Sequence, residues 1–323
     1  MTSAIVRISP NQFQRKLLLA QSRQTLGVLG RVCYTAVTMQ RYKTLLLALL
    51  AGLCTVQLAA EVVDGYDNDK PFPAHKVIGN IYFVGTEGLG SFLITTQEGH
   101  ILINSDYEQT VPMIRASVEK LGFRFADVKI LLGSHAHADH MEGDALIKKL
   151  TGARVMALEQ DVPLLQKLRP RGEPHPIDRV LHDGDEVKLG GVTLVAHLTP
   201  GHTRGCTTWT MKVQDGGKSY DVVILGSIGL QRNPNNLGYI LVNSKEYPEI
   251  VDDYVRSFKV LRSLPCDVFL AAHGRFYLLK DKYAKLGKGG PNPFIDHAGY
   301  LAHLDLQEKA FKARLEEQKA AAK

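Results

Sequence analysis

The sequence predicts one α/β domain, with sheets inside and helices outside, behind a short export leader. Three observations predict it. Short β-rich runs alternate with helical patterns in two similar halves after residue 75. The composition shifts firmly at one place only, residue 60. Apolar strands lead three separate times into a His at the rim of a sheet, around positions 135, 202 and 273.

The leader comes first in the chain. The 323 residues carry 39 Lys+Arg and 33 Asp+Glu. Residues 1–60 hold seven of the bases (Arg7, Arg15, Lys16, Arg23, Arg31, Arg41 and Lys43) and no acid, which leaves the rest with 32 bases against 33 acids, a net charge of −1. The formal +6 therefore belongs to the leader, and the body lacks the cationic surface that nucleic-acid or membrane-surface binding requires. With 45% hydrophobic and 22% charged residues the composition is globular, excluding disordered, collagen-like and coiled-coil classes. From Met39 the chain reads MQRYKTLLLALLAGLCTVQLAAEVVDG, in which Arg41 and Lys43 precede a short apolar run and the small residues Ala59 and Ala60 precede Glu61. That is the layout of a secretory signal peptide over residues 39–60, with an apolar run too short for a stable membrane anchor. Leu53-Cys54 has the look of a lipoprotein site, but the bulky Leu before the Cys argues for cleavage near Ala60. Residues 1–38 form an upstream extension, read either as an Arg-rich presequence or as a start-site artefact. The clean restart at Met39 favours the second. The expectation is an exported protein, periplasmic or secreted, whose domain occupies residues 61–323. Cys206 and Cys266 then remain, as one disulfide or as two buried thiols, and neither has the setting of a nucleophile.

Within the body, runs 77–84, 91–95 and 101–104 read as strands separated by Gly-containing turns. Apolar Val111, Ile114, Val118 and Leu121 at helical spacing predict a helix over 110–121, ended by Gly122. Next come a strand at 129–132, a helix at 141–150, a strand at 154–157 and a helix near 160–168. Strands at 186–189, 192–197, 207–213, 221–225 and 268–271 and helices at 247–264 and 304–317 complete the pattern.

Four potential ligands crowd into Ser134-His-Ala-His-Ala-Asp-His140: His135, His137, Asp139 and His140. They directly follow an apolar strand, so the spacing places them on a loop at its carboxyl end, where α/β folds bind ligands. His202, in Thr-Pro-Gly-His-Thr, and His273, in Ala-Ala-His-Gly, add two more. Imidazole nitrogen and carboxylate oxygen suit zinc, and a catalytic zinc keeps three protein ligands and an open position. Six ligands divide into two such sets. Burying three imidazoles and a carboxylate together without a metal is costly. The remaining His, at 75, 100, 175, 182, 197, 297 and 303, read as ordinary hydrogen-bonded residues.

With its HxHxDH string and two distant His, the chain resembles the metallo-β-lactamase-fold proteins over residues 75–300. The resemblance implies an αβ/βα four-layer sandwich with two zinc ions per chain at one edge. It gives His135, His137 and His202 to the first ion and Asp139, His140 and His273 to the second. Many hydrolases of this fold carry a bridging Asp where Ser227 stands here, whereas the subclass 3 β-lactamases carry Ser. Gly88-Leu-Gly-Ser-Phe-Leu-Ile, the 202–209 run and the 292–300 segment match that subclass too. The activity this resemblance implies is hydrolysis of penicillins, cephalosporins and carbapenems by hydroxide held between the metals, without a covalent acyl-enzyme. In that chemistry Asp139 orients the nucleophile and helps protonate the leaving nitrogen, and Ser227 bonds a bound water or the substrate carboxylate.

Three further positions complete the reading. Asp106 reads as a partner orienting a ligand His or as a surface turn, and the loop 231–238, with Arg232, as a substrate contact or a solvated loop. Some subclass members bind substrate with a second Ser two residues beyond the first. Gly229 occupies that place here, which leaves carboxylate recognition without that hydroxyl. The alternative reading is another hydrolase of the fold, a lactonase or a nuclease. The missing bridging Asp weakens the first and the near-neutral body weakens the second. The expected partner is a small-molecule β-lactam, not nucleic acid, and the expected state a monomer.

Overall fold

The computed structural model describes residues 66–169, 172–230 and 239–323. The expected signal peptide and the loop 231–238 with Arg232 lie outside the described residues. Twelve strands form two sheets among those residues. The first holds β1 (His75–Ile78), β2 (Ile81–Phe83), β3 (Phe92–Thr96), β4 (Gly99–Ile103), β5 (Val128–Leu132), β6 (Arg154–Leu158) and β7 (Arg179–Leu181), in chain order across the sheet. Strands β1 to β4 pair antiparallel, and β4 to β7 pair parallel. The second sheet runs β12 (Val268–Ala271), β11 (Lys218–Leu225), β10 (Thr207–Asp215), β9 (Val192–Leu198), β8 (Glu186–Leu189), with only β11–β12 parallel. The helices are α1 (Val111–Lys120), α2 (Ala138–Met141), α3 (Asp144–Thr151), α4 (Val162–Leu165), α5 (Ile250–Ser263), α6 (Leu279–Lys285) and α7 (His297–Ala321).

Side-chain alternation builds the layers. Phe92, Ile103 and Leu132 of the first sheet pack with Trp209, Met211 and Ile224 of the second. Their neighbours Leu93, Leu102 and Leu131 face the other way, onto Val111, Ile114 and Val118 of α1 and Ile147 of α3. On the far side of the second sheet, Tyr254, Phe258 and Leu261 of α5 meet Leu304 and Phe311 of α7. The result is the predicted αβ/βα sandwich. At the edge where the site forms, the two sheets close tightly over Gly90: its N–H donates to the Ala272 carbonyl at 2.7 Å, and a Cβ there would fall 2.2 Å from the Ala271 oxygen.

Several boundaries differ from the sequence expectation. The 77–84 run is two strands, because Gly79 at φ 52° turns the chain between them. The helix expected at 160–168 is shorter and the one at 304–317 longer, since Asp296 caps α7 by accepting from the Gly299 N–H at 2.8 Å. Strand β7 and helix α6 are additions. Cys206 and Cys266 are buried free thiols, which settles that alternative; burial pushes the Cys266 pKa up to about 12, well away from reactivity.

His303 of α7 lies under Phe269 and Phe276, with ring centroids 5.7 and 5.0 Å away. Burial, then the Arg275 charge, pushes its pKa down to about 4. In the unfolded chain a His titrates near 6.5, so unfolding takes up a proton between those values. This contribution to stability is complete above about pH 6.5 and disappears as the pH falls toward 4. At pH 5 the expected loss is about 2 kcal/mol. Urea unfolding at pH 7 and 5, with His303→Leu alongside, checks it: the variant should show the weaker pH dependence, and equal dependence in both would refute the assignment.

Candidate metal centre

The carboxyl ends of β5 and β12 and the β9–β10 connection meet at one edge of the sandwich. Beyond β5, Ser134 bridges the sheets: its N–H donates to Asn104 Oδ1 at 2.9 Å and its carbonyl accepts from the Thr207 N–H at 2.7 Å. This strap fixes the start of the His135–His140 string. His137 sits in extended conformation at the N-terminus of α2, and Asp139 and His140 lie within that helix, not on a loop as the spacing suggested. His140 is held further through its carbonyl, which accepts from the Ser105 N–H at 2.9 Å.

The structure brings all six expected ligands together. Donor atoms of His135, His137 and His202 lie within 4.8 Å of one another, with His135 Nε2 3.1 Å from His202 Nε2. In the second set His140 Nε2 is 3.2 Å from His273 Nε2, and Asp139 Oδ2 is 3.4 and 3.7 Å from those two nitrogens. Two nitrogens bound to one tetrahedral zinc at ~2.05 Å are ~3.3 Å apart, so these separations fit metal coordination. The protonation states fit it as well. Burial first, then the neighbouring imidazoles, pushes His135, His140 and His273 well below the usual His range. Burial holds His202 down to about 4 and lowers His137. All five rings are therefore neutral at pH 7, as metal ligation demands. His202 Nδ1 donates to the Gly229 carbonyl at 2.9 Å, which leaves Nε2 with the lone pair. Nε2 lone pairs crowded to 3.1 Å repel unless a proton or a cation lies between them.

The other expected residues are placed differently. Ser227 is fully buried two residues beyond the end of β11, and its hydroxyl has no hydrogen-bond partner among the described residues. Asp106 is no surface turn: it is fully buried at φ 56° and accepts from Ser91 Oγ at 2.7 Å. Burial raises its pKa to about 8, and it makes no hydrogen bond to a ligand His among the described residues.

Sequence reasoning missed Asp161. Its buried carboxylate accepts from the Ala136 N–H (2.8 Å), the Gly205 N–H (2.7 Å) and Thr203 Oγ1 (2.8 Å), tying the His135–His137 string to the His202 loop. Gly205 is required there, since a Cβ would lie 2.4 Å from the Asp161 nitrogen. The buried pair of His175 and Asp144 was missed as well. His175 Nε2 lies 3.0 Å from the Met141 carbonyl oxygen and 3.2 Å from Asp144 Oδ2, behind the helix that carries Asp139 and His140. A cavity of about 740 Å³ opens beside His137 and His202, walled by Leu164, Tyr239 and Tyr247.

A family model described as the metallo-beta-lactamase superfamily matches residues 90–273. Among solved structures the chain is similar to the native FEZ-1 metallo-beta-lactamase from Legionella gormanii, at 48% identity over 79% of this chain and 99% of that one, with a TM-score of 0.74. It is also similar to BJP-1, a subclass B3 metallo-beta-lactamase of Bradyrhizobium japonicum, at 37% identity over 79% of this chain and 98% of that one, with a TM-score of 0.71. Among curated proteins it is similar to the mitochondrial persulfide dioxygenase of Homo sapiens, at 26% identity over 38% of this chain, and that match spans 42% of the relative's length.

Proposed function

The chain belongs to the metallo-beta-lactamase superfamily, as a metal-dependent hydrolase of the subclass B3 type, and from that premise we propose that it is an exported zinc β-lactamase opening the ring of penicillins, cephalosporins and carbapenems. The observation that carries the reading is the pair of three-ligand sets sharing one edge, in a chain whose likeness to B3 enzymes runs over nearly their whole length. His135, His137 and His202 would hold one zinc and Asp139, His140 and His273 the other. Bound there, two zinc ions supply a nucleophile from water near neutral pH and a Lewis acid for the lactam carbonyl.

The chain's own residues do the rest. Neutral imidazoles, pre-set by burial and by the His202 bond to Gly229, keep their lone pairs aimed inward. Asp139, partly exposed beside His140 and His273, would accept a proton from the attacking water and return it to the departing ring nitrogen. Leu164, Tyr239 and Tyr247 offer a partly apolar wall for the substrate's side chain. Export through residues 39–60, supported by the leader's charge and apolar pattern, a domain over residues 61–323 and action as a monomer on small molecules complete the proposal.

The test is hydrolysis of a chromogenic cephalosporin and a carbapenem by protein beginning at Glu61. Turnover that a chelator abolishes and zinc restores is expected. Zinc-loaded, folded protein without turnover would overturn the reading and direct attention to lactone, thioester and phosphodiester substrates.

A further inference from the structure

Gly229 leaves room where a substrate-binding hydroxyl is missing. Among the described residues a Cβ there would meet only Gln307 Oε1, at 3.5 Å. Contacts lead from this opening around to the second ligand set. Gln307 lies one turn beyond His303 on α7. The His303 ring is 5.0 Å from the Phe276 ring, and Phe276 is in turn 5.0 Å, edge-on, from the His273 ring. On that same Phe276 ring rests Arg275, its guanidinium carbon 5.2 Å from the centroid. The short 3-10 turn Gly274–Phe276, which starts directly after the ligand His273, fixes this arrangement.

We propose that Arg275 is the anchor for the substrate's carboxylate and thereby sets a preference for anionic β-lactams. The proposal rests on the β-lactamase reading. Arg275 is exposed and makes no ion pair among the described residues, so its fork of donors is available. The Phe276 ring that carries it packs edge-on against the His273 ring at 5.0 Å, which puts the guanidinium beside the second ligand set. Penicillins, cephalosporins and carbapenems carry an ionised carboxylate one carbon from the ring nitrogen. With the lactam at the ligand sets, that anion lies at their margin, where Arg275 stands. The stacked Phe276 ring limits the guanidinium's freedom and lowers the cost of fixing it.

The experiment compares a cephalosporin with its methyl ester, and 3-mercaptopropionate with its methyl ester, on zinc-loaded wild type, Arg275→Ala and Arg275→Lys. Wild type should prefer each acid over its ester by about tenfold, the factor one partly solvated charge-assisted pair supplies. Arg275→Ala should bring both preferences close to one, through KM for the cephalosporin and Kd for the thiol, and Arg275→Lys should restore part. An acid preference that survives Arg275→Ala, or that falls instead with Lys245→Ala on the wall of the open cavity, overturns the proposal. The thiol arm needs no turnover. An Arg275-dependent acid preference in binding without hydrolysis would therefore sink the β-lactamase reading and leave the anion site standing, while turnover indifferent to Arg275 would do the reverse.

Discussion

If the site is the proposed dinuclear zinc β-lactamase centre, replacing His135 by alanine is expected to cut β-lactam turnover by at least about a thousandfold, about 4 kcal/mol of barrier, and to reduce bound zinc from about two ions per chain to about one or fewer. Every ligand matters, but His135 is the seam between the two sets. Its Nε2 lies 3.1 Å from that of His202 in the first set, and its ring is centred 4.2 Å from His140 in the second. It can also be grouped with Asp139 and His140 by donor distance alone, so its loss disturbs both positions. His137 is partly exposed on the cavity side, and His137→Ala should empty only its own set. Zinc analysis by atomic emission, beside turnover of the chromogenic cephalosporin, separates the two variants. Two ions retained by His135→Ala would show that the sets do not share this ring.

The difference between the variants reflects how the site is made. Legibility in the sequence followed locality. His135, His137, Asp139 and His140 lie within six residues, and a strand on one side and a helix on the other allow few arrangements of them. Strands at 92–94 and 101–103 were equally readable as unbroken apolar runs, because opposite faces of one strand serve different apolar layers. What escaped was set by contacts distant in sequence. Ser227 is marked by the resemblance alone as a partner of a bound water or the substrate carboxylate, and its complete burial with an unpartnered hydroxyl comes from packing distant in sequence. Asp106, which follows a strand, reads from the sequence as a partner to a ligand His or as a surface turn; its left-handed backbone instead turns the chain inward, where its carboxylate accepts from Ser91. The length of α7 was underestimated because its start depends on one side-chain cap at Asp296, not on apolar spacing. Asp161 gave no signal at all: two of its three partners are backbone N–H groups, 25 and 44 residues away, and backbone donors leave no mark on composition.

That silent residue carries the second large effect. Asp161→Ala is expected to cost about 3 kcal/mol of stability and to lower kcat/KM by about ten- to a hundredfold, although Asp161 belongs to neither ligand set. The alanine leaves the N–H groups of Ala136 and Gly205 and the Thr203 hydroxyl without their shared acceptor, in a region closed to water. A buried orphan donor costs ~1–3 kcal/mol. The three costs do not simply add, because burial also opposes the carboxylate's charge and raises its pKa, and removing the charge returns part of that. Asp161→Asn separates the two contributions. It keeps one acceptor oxygen in place of two and removes the charge that bears on His137, so stability should fall by about half as much while the kinetic loss stays close to that of the alanine. The reason is positional: Ala136 precedes His137 and Thr203 follows His202, so the carboxylate holds both loops of one ligand set in register to within a hydrogen bond's tolerance. Urea unfolding and steady-state kinetics on zinc-loaded protein measure both effects. A stable Asp161→Ala with wild-type kcat/KM would mean that the loops hold their own alignment and that the staple is incidental.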